Sequence, residues 1–363
     1  MAQIYKGNIC PDMGTSNNRG MDTIVTIPDF LACWPAEKGW PWRVELHPES
    51  ESIKSEAEKW MRSFPGIPEN FVNKIIAASF PEIACINYAH MDKGSCLLAA
   101  QVMLLFFVID ETTDIGDEEE IRRQCSIVKD AFSFSGAVHD KPMSSQHLSS
   151  MELMAREIAE RYLEIGTKES WQLFRELFDE YMDGVVEEAG LRRRLPALPS
   201  RIEYMAVRQR TIGMYPSIAF LLIRCEVRRE VWEEPTIQSL MDMCFRIIIN
   251  QNDMYSFDKE QAKGEDSHNG VRILMHEFDI GVQEAMDQLG AETRELVSRL
   301  IALCEKLPTM ETTNDYEHQQ LLLEGCIAWI IGMDFWSLHI TTRYHGHGGL
   351  NKYRGYTPRP KRL

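Results

Sequence analysis

The sequence lacks any apolar stretch long enough to span a bilayer. Its longest apolar run, residues 96–109, has 14 positions and is interrupted by Gln101, whereas a transmembrane helix needs about 20 apolar residues. An apolar leader segment behind Met1 is missing as well, which argues against secretion. We therefore expect a cytoplasmic protein that does not insert stably into membranes.

Positive charge and patterned cysteine are also scarce. The 363-residue chain has a formal net charge of −16, which argues against nucleic acid as a partner, because proteins that bind nucleic acid show basic patches. Its nine cysteines stand singly, without a Cys-x-x-Cys pair or the framework of a small disulfide-rich domain. Scattered cysteines of this kind indicate a reduced, intracellular protein.

Signals for β-strands are missing, since neither a sustained two-residue alternation nor an Asn-Gly hairpin occurs along the chain. Helical segments with 3.6-residue periodicity begin instead near residues 48, 90, 117, 144, 167, 200, 233, 281 and 314. The sequence therefore predicts an all-α fold. Its predicted parts are a polar, mobile N-terminal arm (1–26), a single helical domain (27–344) and a basic C-terminal tail (345–363).

The central apolar run ends abruptly in acidic residues, in the stretch FFVIDETTD at positions 106–114. Carboxylates at a helix C-terminus oppose the helix dipole, so Asp110, Glu111 and Asp114 are unfavourable there unless a cation lies among them. Asp110 and Asp114 are one turn apart and can converge on one ion, and carboxylate oxygens suit Mg²⁺. The alternative is a helix that simply ends in a solvated acidic turn.

A second apolar helical run turns polar in the stretch CFRIIINQNDMYSFDKE at positions 244–260. Asn252, Ser256 and Glu260 recur every four residues, which places them in a slanted stripe on one helical face. Their amide, hydroxyl and carboxylate oxygens form a hard donor set for a further Mg²⁺. Lys259 lies at the same level and can meet a phosphate as a point charge. As a bare pattern, three polar residues on one helical face are common.

Arg343 and Tyr344 are predicted to end the last long helix, with Trp336 seven residues earlier on the same face. The planar guanidinium of an arginine matches phosphate oxygens, and a tyrosine hydroxyl adds another donor. An isolated Arg-Tyr pair is usually only the favourable cation of a helix C-terminus. Its interpretation therefore depends on the other two motifs.

DExxD at 110–114, NDxxSxxKE at 252–260 and Arg-Tyr at 343–344 resemble the three signatures of class I terpene cyclases, in the same order and at similar separations. The likeness is particularly to fungal sesquiterpene synthases and covers roughly residues 27–344. It implies a terpene cyclase domain whose antiparallel helices surround a deep apolar pocket. It also implies a Mg²⁺-dependent sesquiterpene synthase with three metal ions, which ionises and cyclises farnesyl diphosphate and releases diphosphate. A monomer and a homodimer both fit.

The resemblance assigns roles to the motif residues. The metal ligands that it implies are Asp110, as the principal ligand of the first motif, together with Asp114, Asn252, Ser256 and Glu260. The residues that it implies for binding diphosphate oxygens are Lys259, Arg343 and Tyr344. The carboxylates would then end a buried helix because metal ions restore the charge balance at the pocket mouth.

One position departs from the family pattern. The family usually has an RRxTxG stretch whose second arginine senses the diphosphate, whereas this chain has RQRTIG, with Gln209 at that position. Arg208 or Arg210 would take the role, and we select Arg208. Gly213 matches the glycine whose carbonyl is thought to steer ionisation, and Pro216 would supply a helix break.

Aromatic faces stabilise carbocations, so aromatic residues near the motifs are candidates for the pocket wall. These candidates are Tyr88, Phe106, Phe107, Phe335 and Trp336. We favour Trp336, because Arg343 shares its predicted helical face. Each of them also fits an ordinary core position.

Other proteins share parts of this pattern. A chain-elongating prenyl diphosphate synthase would carry a second DDxxD-type motif where this chain has NDxxSxxKE, and a di-iron bundle would need paired Glu-x-x-His motifs. A diterpene cyclase of the same fold is a further alternative. A catalytically inactive helical binding protein is another, although the intact motifs argue against it.

Overall fold

A computed structural model of the protein describes residues 24–113, 117–134, 149–192, 194, 197–306, 316–344 and 354–359. Asp114 and most residues of the predicted arm and tail lie outside these ranges. The statements that follow concern the described residues.

Helices make up most of the described chain. They are α1 (Ser50–Arg62), α2 (Glu69–Ala77), α3 (Phe80–Asn87), α4 (Lys93–Thr113), α5 (Glu118–Phe134), α6 (Ser150–Ile165), α7 (Lys168–Arg192), α8 (Arg201–Thr211), α9 (Met214–Phe220), α10 (Arg229–Trp232), α11 (Pro235–Lys263), α12 (Gly270–Phe278), α13 (Val282–Cys304) and α14 (Tyr316–Phe335). A π-helical turn, Trp336–Ile340, continues α14, and the two short strands are β1 (Val25–Thr26) and β2 (Gly355–Tyr356).

The predicted all-α fold is confirmed, and every predicted helical segment coincides with one or more helices. Helices α2, α3, α10 and α12 have no counterpart among the predicted segments. Each has nine residues or fewer, which gives too few turns for a periodic signal.

The segment predicted to begin near residue 200 is broken into two helices at Gly213. This residue has φ +76°, a left-handed conformation that glycine adopts without steric cost, and it separates α8 from α9. The prediction that Pro216 supplies the break is wrong. Pro216 lies within the first turn of α9, where a proline does not interrupt the backbone hydrogen bonds.

Helices α4 and α11, both long, each pack against several other helices. Helix α4 packs against α1, α3 and α6, whereas α11 packs against α13 and α14. By length and composition, α4 and the helix that continues from α14 to Ile340 are apolar enough to cross a membrane. However, 72% and 67% of their most apolar windows are buried inside the fold, as is typical of core helices in a soluble protein.

The two ends of the described chain meet. Strands β1 and β2 pair antiparallel, with Val25 opposite Tyr356, and both side chains are buried. Residues 24–26 and 354–359, which belong to the predicted arm and tail, therefore pack beside the helices in the structure. Apolar burial and ladder hydrogen bonds, which are non-local, hold these short segments in place.

Candidate active site

A cavity of about 310 Å³ opens among α4, α7, α8, α9, α11, α14 and the segment that follows α14. Its lining divides into an apolar interior and a polar mouth. The apolar part includes Ile83, Met103, Phe106, Phe107, Met214, Ile248, Trp329, Met333 and Trp336. The polar part includes Asp110, Glu188, Arg192, Arg208, Asn252, Ser256, Lys259, Glu260, His268, Arg343 and Tyr344.

Arg343 is the centre of an ionic cluster on one side of the mouth. It donates from Nη2 to Asp110 Oδ2 over 2.9 Å and from Nη1 to Glu111 Oε1 over 2.6 Å. Lys259 Nζ lies 4.0 Å from the same Glu111 oxygen, and Lys74 bonds the other one. The acidic end of α4 is therefore balanced by cations from three other parts of the chain.

The pKa values in this cluster follow from the contacts. Burial alone would raise the pKa of Glu111, but Arg343, Lys74 and Lys259 lower it to about 2. Burial and the charge of Arg343 lower the pKa of Lys259 to about 8, although Glu111 opposes the shift. At neutral pH the cluster therefore holds an ionised carboxylate and a lysine whose charge is poorly stabilised.

The predicted stripe on α11 faces the cavity. Asn252, Ser256 and Glu260 all line it, and Asn269 joins two of them by donating to Ser256 Oγ over 3.3 Å and to Glu260 Oε2 over 2.9 Å. Burial raises the pKa of Glu260, and the hydrogen bonds from Ser256 and Asn269 oppose that shift. The amide, hydroxyl and carboxylate oxygens thus lie along one wall of the mouth.

Two further groups converge on Asn252. Arg208 donates from Nη2 to Asn252 Oδ1 over 2.8 Å, and Asn252 Nδ2 donates to the hydroxyl of Tyr344 over 3.0 Å. The Nε atom of Arg208 is buried and has no hydrogen-bond partner among the described residues. One donor of this cavity-lining arginine is therefore unpaired, while its Nη2 atom is held by the α11 stripe.

The neighbouring residues of the RQRTIG stretch point elsewhere. Gln209 donates to Asp242 Oδ1 over 2.8 Å on the exposed side of α8, and Arg210 pairs with Glu187. Neither of them lines the cavity, whereas Arg208 does. The geometry thus favours Arg208 over Arg210 for an anion at the mouth.

Sequence reasoning missed a polar group on the α7 side of the mouth. Glu188 accepts a hydrogen bond from Arg192 Nη1 over 2.9 Å, and its other oxygen lies 3.2 Å from His268 Nε2. Burial would raise the pKa of Glu188, but His268, Arg208 and Arg192 lower it below its ordinary value. Because His268 is distant in the chain from Glu188 and Arg192, which are one turn apart on α7, no local spacing in the sequence reveals the whole group.

The predicted helical position of Arg343 and Tyr344 is wrong. Helix α14 ends at Phe335, and after the π-helical turn the chain from Thr341 onward is extended or bent. The hydroxyl of Thr341 bonds the carbonyl of Ala78 over 2.9 Å, which fixes this segment against the end of α2. Arg343 and Trp336 still line one cavity, but they do so through a bend and not through a shared helical face.

The aromatic candidates divide into two groups. Phe106, Phe107 and Trp336 line the cavity, whereas Tyr88 and Phe335 are not among its lining residues. The hydroxyl of Tyr88 bonds the carbonyl of Ser217 over 2.8 Å within the core. Gly213 also lines the cavity, and a side chain there would lie 3.5 Å from the ring of Phe106.

The residues present fit a hard divalent cation. The oxygens of Asn252, Ser256 and Glu260 line one wall, and the carboxylate of Asp110 lies at the same mouth. Within the described ranges, no cluster of three or more His, Cys, Asp or Glu residues could hold a metal. The residues that line the mouth offer amide, hydroxyl and carboxylate oxygens, which are ligands that suit a hard cation such as Mg²⁺.

An all-helical fold around one apolar cavity, with cations and hard oxygen donors at its mouth, defines a site for an apolar molecule with an anionic end. Comparison with known proteins agrees. The family model "Terpene synthase family 2, C-terminal metal binding" matches residues 101–299. The chain belongs to this terpene synthase family.

Curated relatives extend the match to most of the chain. A Delta(6)-protoilludene synthase of Stereum hirsutum is 32% identical over 330 residues, which cover 90% of this chain and 85% of the relative. A Delta(6)-protoilludene synthase of Armillaria gallica is 29% identical over 333 residues and covers 91% of each chain. The protein is therefore a terpene cyclase of the sesquiterpene synthase type. Family membership also implies use of a divalent metal and a prenyl diphosphate substrate.

Solved structures support the fold. Germacradien-4-ol synthase from Streptomyces citricolor superposes with a TM-score of 0.69 at 19% identity, covering 82% of this chain and 96% of that one. A variant of cucumene synthase gives a TM-score of 0.70 at 17% identity, covering 82% of this chain and 98% of that one. At this level of sequence identity, the comparison with these structures shows a shared fold and nothing further.

The lowered pKa of Lys259 generates a prediction about stability. Because the folded protein disfavours the charged lysine, Lys259→Met should stabilise the protein at pH 7 by up to about 3 kcal/mol. The unfolded lysine keeps its proton to its ordinary pKa of 10.5, whereas the folded one loses it near 8. Between these values the unfolded state binds more protons, so wild-type stability rises with pH and the advantage of the variant shrinks. Urea unfolding at pH 7 and pH 10 measures both effects.

Lys263→Met is the matched control, because Lys263 lies one turn further along α11 and pairs with Glu265 over 3.0 Å at the surface. We expect its effect to stay within about 0.5 kcal/mol. The conclusion that the fold disfavours a charged Lys259 fails if Lys259→Met is no more stable than wild type at pH 7, or if its stability advantage is the same at pH 10.

Proposed function

We propose that the protein ionises and cyclises farnesyl diphosphate to a sesquiterpene and releases diphosphate, with Mg²⁺ as its metal. The observation that carries the proposal is that one cavity is lined by oxygen ligands from two helices and by side chains that can bind an anion. Asp110 of α4 and the stripe of Asn252, Ser256 and Glu260 on α11 line the same mouth. The side chains there that can donate hydrogen bonds to an anion are Arg208, Lys259, Arg343 and Tyr344.

We assign the metal ligands as Asp110 and Asp114 on one side and Asn252, Ser256 and Glu260 on the other, for three ions in all. Bound Mg²⁺ would supply the positive charge that stabilises a leaving diphosphate. Side chains at the mouth would bind the diphosphate directly. Arg343 and Lys259 would each exchange a carboxylate partner for diphosphate oxygens, and Tyr344 would donate its hydroxyl.

The apolar interior of the cavity would shield the carbocation that forms when diphosphate leaves. Loss of diphosphate breaks the bond between carbon and oxygen and leaves an allylic carbocation, which water would quench. The apolar side chains exclude water, and the rings of Phe106, Phe107 and Trp336 offer aromatic faces to the cation. Gly213 and Ser217 also line the cavity, and the carbonyl of Gly213 accepts a hydrogen bond from Ser217 Oγ over 2.7 Å.

The names of the relatives favour one product to look for. Several of them are Delta(6)-protoilludene synthases, so we propose this tricyclic hydrocarbon as the first candidate. We also propose a cytoplasmic enzyme that acts as a monomer or a homodimer, without nucleic acid as a partner.

Product analysis tests the proposal. Purified protein incubated with farnesyl diphosphate and Mg²⁺ should give a cyclic sesquiterpene in gas chromatography–mass spectrometry of the extract. EDTA should abolish the product, and added Mg²⁺ should restore it, because the leaving group is not stabilised without the metal. Geranylgeranyl diphosphate serves as the alternative substrate. Undiminished turnover in EDTA would contradict the metal assignment, and faster turnover of the longer substrate would make the protein a diterpene cyclase.

A second prediction concerns the arginine at the mouth. Arg208→Ala should lower kcat/KM for farnesyl diphosphate by about 100-fold, since it removes an anion donor within the cavity. Gln209→Ala and Arg210→Ala are the controls, and each should stay within about threefold of wild type, because both side chains make surface contacts. Steady-state kinetics of the three variants decides the matter. Equal losses for Arg208→Ala and Arg210→Ala would refute the assignment of Arg208.

A further inference from the structure

The segment of residues 354–359, here called the C-terminal strap, returns to the outside of the candidate site. Its first residue is anchored to the core, since Arg354 donates from Nη1 to the carbonyl of Pro28 over 3.1 Å and from Nη2 to Asp334 over 3.2 Å. Strand β2 then pairs with β1. These contacts place the end of the strap beside helix α11.

Arg359, at the end of the strap, joins two parts of the site. Its backbone N–H and its Nε contact the two carboxylate oxygens of Asp258 over 2.8 and 3.1 Å. Its Nη2 donates to the backbone carbonyl of Tyr344. Gln261 Nε2 completes the link by donating to the carbonyl of Arg359 over 2.8 Å. One side chain thereby connects α11 to the corner of residues 341–344.

The corner needs support of this kind because it is not helical. Outside a helix its backbone groups need other partners. The amide of Thr341 donates to the carbonyl of Trp336 over 2.9 Å, and the amide of Arg343 donates to the hydroxyl of Thr341 over 3.0 Å. Thr341 and Thr342 donate their hydroxyls to the carbonyls of Ala78 and Ala77, each over 2.9 Å. The carbonyl of Tyr344 accepts a hydrogen bond from Arg359. The strap therefore adds a contact at the end of the corner.

Asp258 explains why an arginine is suited to this position. Its carboxylate is buried, with 3% of the side chain exposed, and it lies on α11 between Ser256 and Glu260. A planar guanidinium can bond this carboxylate and a carbonyl at the same time, whereas an ammonium group is a point charge. The strap thus connects the part of α11 that carries the oxygen stripe to the backbone of Tyr344.

We propose that Arg359 is a positioning residue for the diphosphate site, which holds Tyr344 in register with the α11 stripe. The proposal rests on the proposed function, because it assumes that Tyr344 and the stripe bind a metal–diphosphate group. Arg359 itself is placed outside the cavity and does not line it. Its effect on a ligand is therefore indirect, and we assign it to the contact with the carbonyl of Tyr344.

Isothermal titration with Mg²⁺ and inorganic pyrophosphate tests this role. Arg359→Ala should weaken pyrophosphate binding by about tenfold, as expected when a donor to a charged ligand is misplaced. Arg359→Lys keeps a cation beside Asp258, so the protein stays folded, but it loses the bridge and should weaken binding similarly. In a Tyr344→Phe background, Arg359→Ala should cost less than about twofold, because the group that it positions is already gone.

Arg62→Ala is the matched control. Arg62 also bonds two partners, Glu69 over 2.6 Å and Asn73 over 2.8 Å, and its side chain is 40% exposed against 43% for Arg359. It joins α1 to α2 and should leave pyrophosphate affinity unchanged. Wild-type affinity in Arg359→Ala, or a full loss that persists with Tyr344→Phe, overturns the positioning role alone. Failure of the wild-type protein to bind pyrophosphate with Mg²⁺ overturns the proposed function as well.

Discussion

The pairing of Arg343 with the acidic end of α4 is the interaction on which the site depends. Its guanidinium lies over the rings of Phe80 and Phe107, with its carbon 5.6 and 5.5 Å from their centroids, and holds Asp110 and Glu111. Burial would lower the pKa of Arg343, but the neighbouring carboxylates raise it above its ordinary value. An isolated buried charge would be strongly unfavourable, and the pairing explains how a core helix tolerates this end.

The same pairing couples ligand binding to a change of partners. In the proposed function, Asp110 binds metal while Arg343 binds diphosphate, so each must leave the other. Asn252 likewise exchanges its contact with Arg208 for the metal. Metal alone would break the contacts of Arg343 with Asp110 and of Arg208 with Asn252, and diphosphate would give both arginines a new partner. Metal and diphosphate should therefore bind with strong mutual dependence.

The sequence predicts well what lies within one helix. The long helices follow from their periodicity, and the stripe at 252–260 faces the cavity because four-residue spacing keeps its members on one side. The contact of Glu188 with His268 joins distant segments, for which a single sequence has no periodic signal. The position of Arg343 was mispredicted because apolar residues continue through Trp336–Ile340, although the helix becomes a π-helical turn there.

Thermal unfolding with Mg²⁺ alone, pyrophosphate alone and both together tests the exchange of partners most directly. Ligand linkage stabilises by about 2.7 kcal/mol at a hundredfold excess over Kd. For wild type, the shift of the thermal midpoint with both ligands should clearly exceed the sum of the separate shifts. Arg343→Ala and Asn252→Ala should each lose most of this excess. If both variants keep it in full, the metal and diphosphate bind elsewhere, and the account of the site is wrong.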